Sequence, residues 1–193
     1  MGKILQEVAV EMKLQQEMLT LRDGRQVLLR SPGPDDAQAM LDYLRQANGE
    51  THFLTRYPEE VTMTVEEETE FLRRQLGHPL NAQLAAFDGE RVVAMCGVSQ
   101  VSDRVKTRHR CSLGITVRQE FWGCGLGTQM IERCIDAARR AGFEQVELGV
   151  YSDNDRARRL YEKLGFRQTG SLPRAFKLKD GTYRDEILMT LFL

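Results

Sequence analysis

Three glycines at alternate positions, Gly123-x-Gly125-x-Gly127, followed by Thr128 and a run with helical spacing, give the stretch FWGCGLGTQM at residues 121–130 a chemical character. Glycine lets backbone approach a ligand closely. A helix start offers unpaired N–H groups and a partial positive charge, which suit an anion. Three phosphate ligands fit such a loop, beside the bland reading of a tight strand-to-helix connection with no ligand. A nucleoside triphosphate P-loop needs Gly-Lys-Ser/Thr, and Gly127 runs straight into Thr128 with no lysine. A dinucleotide loop needs G-x-G-x-x-G directly after a strand. Here the third glycine comes one residue early, and RQEFW separates Val117 from Gly123, although Glu144 or Glu147 could serve the ribose. The diphosphate of coenzyme A is the third.

The elements that must position this loop can be read from spacing. MLTLRDGRQVLLR has two apolar stretches around Asp23-Gly24, a hairpin signal. SPGPDDAQAMLDYLRQAN starts a helix with Asp35 or Asp36 near its first turn, and VTMTVEEETEFLRRQLGHP reads as a second, ended by Gly77 and Pro79. NAQLAAFDGERVVAMCGVSQV is two strands joined at Asp88-Gly89, and RHRCSLGITVR a third. After the loop, Leu126, Met130, Ile131, Cys134, Ile135 and Ala138 mark one helix face. QVELGVYS alternates Val146, Leu148 and Val150 as a strand does. DNDRARRLYEKLGF is a shorter helix with Ala157, Leu160, Tyr161 and Leu164 inward, stopped by Gly165. Two strands around Lys179-Asp180-Gly181 close the chain. The order predicts a mixed α/β (α+β) domain over 18–193. Residues 1–17 place Ile4, Leu5, Val8 and Met12 at helical spacing, which reads either as an extra helix packed on the domain or on a second copy in a homodimer, or equally as a loosely held extension.

Composition bounds the rest. The 193 residues carry a formal net charge of -1, which gives no broad pull towards nucleic acid or an anionic membrane. The four cysteines show no C-x-x-C pair and the three histidines do not cluster with them, so no metal is expected. The N-terminus lacks the apolar core of a signal peptide, and no stretch approaches the roughly 20 apolar residues of a membrane span. A cytoplasmic protein with free thiols is the expectation.

On these residues ITVRQEFWGCGLGTQMI resembles the acetyl-CoA loop of the GNAT superfamily of N-acetyltransferases, whose Gln/Arg-x-x-Gly-x-Gly/Ala pattern falls on Trp122-x-x-Gly125-x-Gly127. VELGVYSDNDRARRLYEKLGF is similar to that family's strand–helix–GF signature. The resemblance covers residues 20–193 and implies a GNAT-like fold, a central mixed, mostly antiparallel sheet flanked by helices. It also implies acetyl transfer from acetyl-CoA to a primary amine of a small molecule or peptide. The sequence departs from the pattern at Trp122, where Gln or Arg is commonest, and at Cys124, where a basic residue often assists the phosphates. Arg118 is the nearest arginine that could compensate.

Amide formation from a thioester needs a neutral amine, a donor for the carbonyl oxygen as it turns negative, and a proton for the departing thiolate. The resemblance implies Tyr161 as the general acid; spacing alone also allows a core tyrosine. It implies cofactor contacts from Gly123, Cys124, Gly125, Gly127 and Thr128, and from Asn154 on the pantetheine arm, a residue that could also cap the following helix. Ile115 to Val117 resemble the bulged strand whose backbone pairs with pantetheine and donates to the thioester oxygen. Candidates for the base are Glu147, on the strand beside the cleft, Glu50, in the helix-to-helix connection, and His109; water could also serve. A non-catalytic CoA-binding module is the alternative. A dinucleotide oxidoreductase stands further off, since it predicts parallel strands where Asp88-Gly89 and Lys179-Asp180-Gly181 predict hairpins.

Overall fold

The computed structural model describes Met12 and residues 14–193. The helix expected over residues 1–17 falls mostly on positions outside these; Glu17 opens the first strand. The elements follow the order read from the pattern. A hairpin, β1 (Glu17–Thr20) and β2 (Gln26–Arg30), leads to α1 (Ala37–Glu50) and α2 (Val65–Leu76). Three strands follow, β3 (Asn81–Asp88), β4 (Arg91–Gln100) and β5 (Arg110–Val117). Then come α3 (Leu126–Arg140), β6 (Gln145–Tyr151), α4 (Asp155–Lys163), β7 (Arg167–Lys177) and β8 (Tyr183–Phe192).

Local chemistry sets several boundaries. Thr64 caps α2, accepting from the Glu67 N–H while the Glu67 carboxylate accepts from the Thr64 N–H. Asp36 begins α1 and binds Arg30 through both carboxylate oxygens, at 2.6 and 2.7 Å, tying α1 to β2.

The eight strands form one sheet in the order β1-β2-β3-β4-β5-β6-β8-β7. Every neighbouring pair is antiparallel except β5 and β6. The helices divide between its faces. Alternation along β3 sends Ala82, Leu84 and Ala86 into the larger core with Met130, Ile131 and Cys134 of α3. It sends Ala85 and Phe87 into a second core with Met40, Tyr43 and Ala47 of α1 and Leu72 of α2. The predicted inward residues of α3 are all buried. Among the described residues no helix is long and apolar enough to cross a membrane, and all four cysteines are free thiols buried in the fold.

The parallel pair positions the site. β5 and β6 stay in register only at Arg110↔Gln145, Cys111↔Val146 and Ser112↔Glu147, and then part. β5 keeps its other edge on β4 throughout, from Gln100↔Cys111 to Ala94↔Val117, without a register shift. The bulge expected near Ile115 is therefore absent from that ladder; the sheet opens because β6 turns away to follow β8.

Candidate active site

The parted strands frame a cleft of about 1190 Å³ that passes between the faces of the sheet. This is large for a small-molecule pocket, whose usual range reaches about 1,000 Å³. Along its β5 side the backbone is an open edge. The Arg118 N–H donates to the Val93 carbonyl in the β4 ladder. Even-numbered residues of β5 thus point their amides at β4, and Ile115 and Val117 point theirs at the opening. The Val117 carbonyl accepts from the Trp122 indole N–H at 2.6 Å. The Ile115 amide and the Val117 N–H face the cleft where no strand pairs with β5.

Below this edge lies the glycine loop. Gly123 and Gly125 have φ of +80° and +92°, in the left-handed region that side chains disfavour. They turn the chain so that α3 starts at Leu126 beneath the opening. The first helical bond runs from the Gln129 N–H to the Gly125 carbonyl, so the N–H groups of Leu126, Gly127 and Thr128 stay unpaired in the helix. A Cβ at position 127 would stand 3.6 to 3.8 Å from the side chains of Leu160, Ile115 and Val117, so α3 begins close against β5 and α4.

The predicted residues separate into two groups. Ile115, Val117, Gly123, Gly125, Gly127, Thr128, Asn154 and Tyr161 all line the cleft. Asn154 caps α4 by accepting from the Ala157 N–H at 3.1 Å; its amide N–H groups remain available. Tyr161 is 7 % exposed, and burial raises its phenol above the ordinary value of 10, so it stays protonated across the neutral range. Its ring lies 5.8 Å from that of Phe166, and its hydroxyl has no hydrogen-bond partner among the described residues.

The other group lies elsewhere. Cys124 turns its side chain inward, where the thiol donates to the Phe121 carbonyl at 2.9 Å. Glu147 is held by Arg110 through both oxygens and also accepts from Gln145. The Arg110 guanidinium keeps its carboxyl below the ordinary 4.5. Glu50 accepts from the Arg118 guanidinium at 2.5 Å and from the Gln119 N–H at 2.7 Å. It clamps the end of α1 to the segment entering the loop and occupies Arg118, the arginine expected near the phosphates. Neither carboxylate, nor His109, lines the cleft.

Sequence reading missed the two cations that do. Arg22, in the β1–β2 turn, lies against Gly125, with its Nε 3.2 Å from where a Cβ at 125 would stand. Its N–H donates to the Cys124 carbonyl. Arg156, in the first turn of α4, lies over the Trp122 ring at 4.0 Å. Trp122, anchored to Val117, thus serves as a platform for a cation at the loop. Spacing gave no signal for Arg22, about a hundred residues away in sequence. On the opposite face of the sheet the cleft is walled by Tyr151, stacked on Phe176 at 3.8 Å, and by Phe53.

The sequence matches the acetyltransferase (GNAT) family over residues 37–166. It is 34% identical over 86 residues to the L-methionine sulfoximine/L-methionine sulfone acetyltransferase of Salmonella typhimurium, a match covering 45% of this chain and 50% of that protein. The chain spans about half the length of the first curated relatives it matches. Among solved structures, a GNAT-family acetyltransferase from Streptococcus pneumoniae superposes with a TM-score of 0.81 at 28% identity, covering 86% of this chain and 99% of that one. The structure of yncA from Salmonella typhimurium, determined with its cofactor acetyl-CoA, superposes with a TM-score of 0.72 at 24% identity, covering 86% of this chain and 94% of that one. The chain belongs to the GNAT family of acetyltransferases.

Proposed function

We propose, from membership of that family, that residues 18–193 act as one domain that moves an acetyl group from acetyl-CoA to a primary amine of a small molecule or peptide, by direct attack in a ternary complex. The observation that carries this reading is the open β5 edge running into the glycine-turned start of α3. A chain with amides of its own, such as pantetheine, can pair with Ile115 and Val117 as a strand would. The attached diphosphate then meets the N–H groups at Leu126–Thr128, between the guanidinium groups of Arg22 and Arg156. The Asn154 amide is placed to meet the pantetheine arm. Among relatives, the Salmonella typhimurium protein named above is an acetyltransferase of amino-acid analogues, which supports an amine acceptor in general terms.

Each chemical demand has a residue. The amine loses a proton to a carboxylate or to water in the cleft. Its lone pair forms the C–N bond at the thioester carbon, and the Ile115 N–H donates to the carbonyl oxygen as it gains charge. As the C–S bond breaks, Tyr161 gives its proton to the sulfur and recovers one from solvent. Burial makes this phenol a firm donor and a weak acid. The same burial raises the basicity of the departing thiolate, which keeps the transfer feasible. Glu147 and Glu50 have positioning roles in this scheme: their pairs with Arg110 and Arg118 hold β5 to β6 and α1 to the loop.

The test is thiol release from acetyl-CoA by the purified chain with a panel of amines, together with mass detection of the acetylated product. Stoichiometric thiol and amide support the reading. Tight CoA binding with no amide from any amine would instead make the protein a CoA-binding module.

A further inference from the structure

Glu186 lies on β8 directly opposite Tyr151 and diagonal to Gly149. A Cβ built on Gly149 would stand 2.7 Å from the Glu186 Cδ, so the carboxyl group fills space that any side chain at 149 would take. It lines the cleft, half-buried. Two other carboxylates line the cleft, and both are paired, Asp153 with His52 and Arg184, Asp155 with Arg158. Glu186 has no ion-pair or hydrogen-bond partner among the described residues. Around it stands an apolar wall of Tyr151 stacked on Phe176, with Phe53 meeting the edge of Tyr151 at 6.0 Å. The cations of the lining, Arg22 and Arg156, sit at the other end, on Gly125 and Trp122.

We infer that Glu186 receives the acceptor's ammonium group, and that acceptors are primary amines on an apolar or aromatic body with no carboxylate beside the amine. The inference rests on the acetyl-transfer reading of this cleft. An ammonium meets a half-buried, unpaired carboxylate flanked by aromatic faces, each of which favours a cation. An α-carboxylate would be carried into the same space against a like charge, and Arg184, which stands at that end opposite Phe176, is already held by Asp153. A peptide N-terminus, whose neighbouring carbonyl is an amide, passes the same filter as a simple arylalkylamine.

Calorimetry on the full chain saturated with CoA tests this without requiring turnover. The probes are 2-phenylethylamine, L-phenylalaninamide and L-phenylalanine, which share a side chain and differ beside the amine. The wild type is expected to bind the first two at least about tenfold more tightly than the third. Glu186→Gln should reduce that preference to within about threefold while CoA affinity and melting temperature hold. Gly149→Ala, which pushes the carboxylate aside without removing it, should weaken 2-phenylethylamine as well. L-phenylalanine binding as tightly as 2-phenylethylamine, a preference unchanged in Glu186→Gln, or no binding of any probe would overturn the inference. Selective amine binding without any acetyl transfer would instead remove the proposed reaction and leave this filter standing. Between the two accepted probes, tighter binding of the amide points to peptide N-termini and of the amine to small arylalkylamines.

Discussion

Replacing Tyr161 by phenylalanine separates a proton donor from a core side chain. The ring packs with Phe166 and is 7 % exposed, and both features survive the change. The hydroxyl has no protein partner among the described residues, so no hydrogen bond is lost and stability should move by less than about 1 kcal/mol. Acetyl-CoA binding, carried by backbone and by Arg22 and Arg156, should change less than about twofold. Turnover has more to lose. A positioned general acid contributes about 10²- to 10⁴-fold, and thiolate, being a modest base, places this case at the lower end. The expected fall in kcat is about 10²-fold, equivalent to about 2.7 kcal/mol in the barrier. The assay is steady-state thiol release at neutral pH with saturating acetyl-CoA and a working amine, beside a melting curve. A kcat within about threefold of wild type, with the fold unchanged, would refute the reasoning and leave Tyr161 as packing.

Two further perturbations probe the loop and the frame that holds it. Gly125→Val imposes a branched side chain at φ +92° and drives its Cβ against Arg22. It should cost at least about 1–2 kcal/mol, lower Tm by roughly 2–8 °C and weaken acetyl-CoA at least tenfold by calorimetry; unchanged affinity would remove the loop from the site. Arg110 depresses the Glu147 carboxyl below 4.5, so this pair stabilises the fold above that pH and the gain is lost as pH falls through the lowered value. The pair is partly exposed, so it is worth under about 1 kcal/mol. The Tm gap between wild type and Glu147→Gln should therefore be small at pH 7 and shrink as the pH falls below 4.5, and a gap that widened on acidification would contradict this assignment.

The order of elements was legible because the period of apolar residues switches cleanly between two and 3.6. Turn glycines such as Gly24 and Gly89 punctuate the switches. The half of the site that lies on contiguous sequence was legible as well: the loop from Gly123 to Thr128, then Asn154 and Tyr161 one helix turn and more apart. What eluded spacing was everything set by pairing across the sheet. That β6 leaves β5 after Ser112↔Glu147 is a property of where β8 lies, not of either strand alone. Arg22 reaches Gly125 only because the first hairpin folds beside the loop, and Glu186 reaches the cleft only because its neighbour is a glycine. Glu50 and Glu147 looked free in sequence, since a carboxylate's partner is invisible until Arg118 and Arg110 are placed. Cys124 sits between two outward-turned glycines, yet the left-handed turns on either side swing its side chain into the core.

The central claim is that the opening between β5 and β6 is where acetyl-CoA lies, paired with the exposed edge of β5. Residue-resolved amide exchange measures this directly. In the free protein the Ile115 and Val117 N–H groups should exchange far faster than those of Gly114 and Thr116, which are bonded to β4. Saturation with acetyl-CoA should protect Ile115, Val117 and the amides of Leu126–Thr128 together. Binding that left these amides unchanged while protecting another surface would contradict the account.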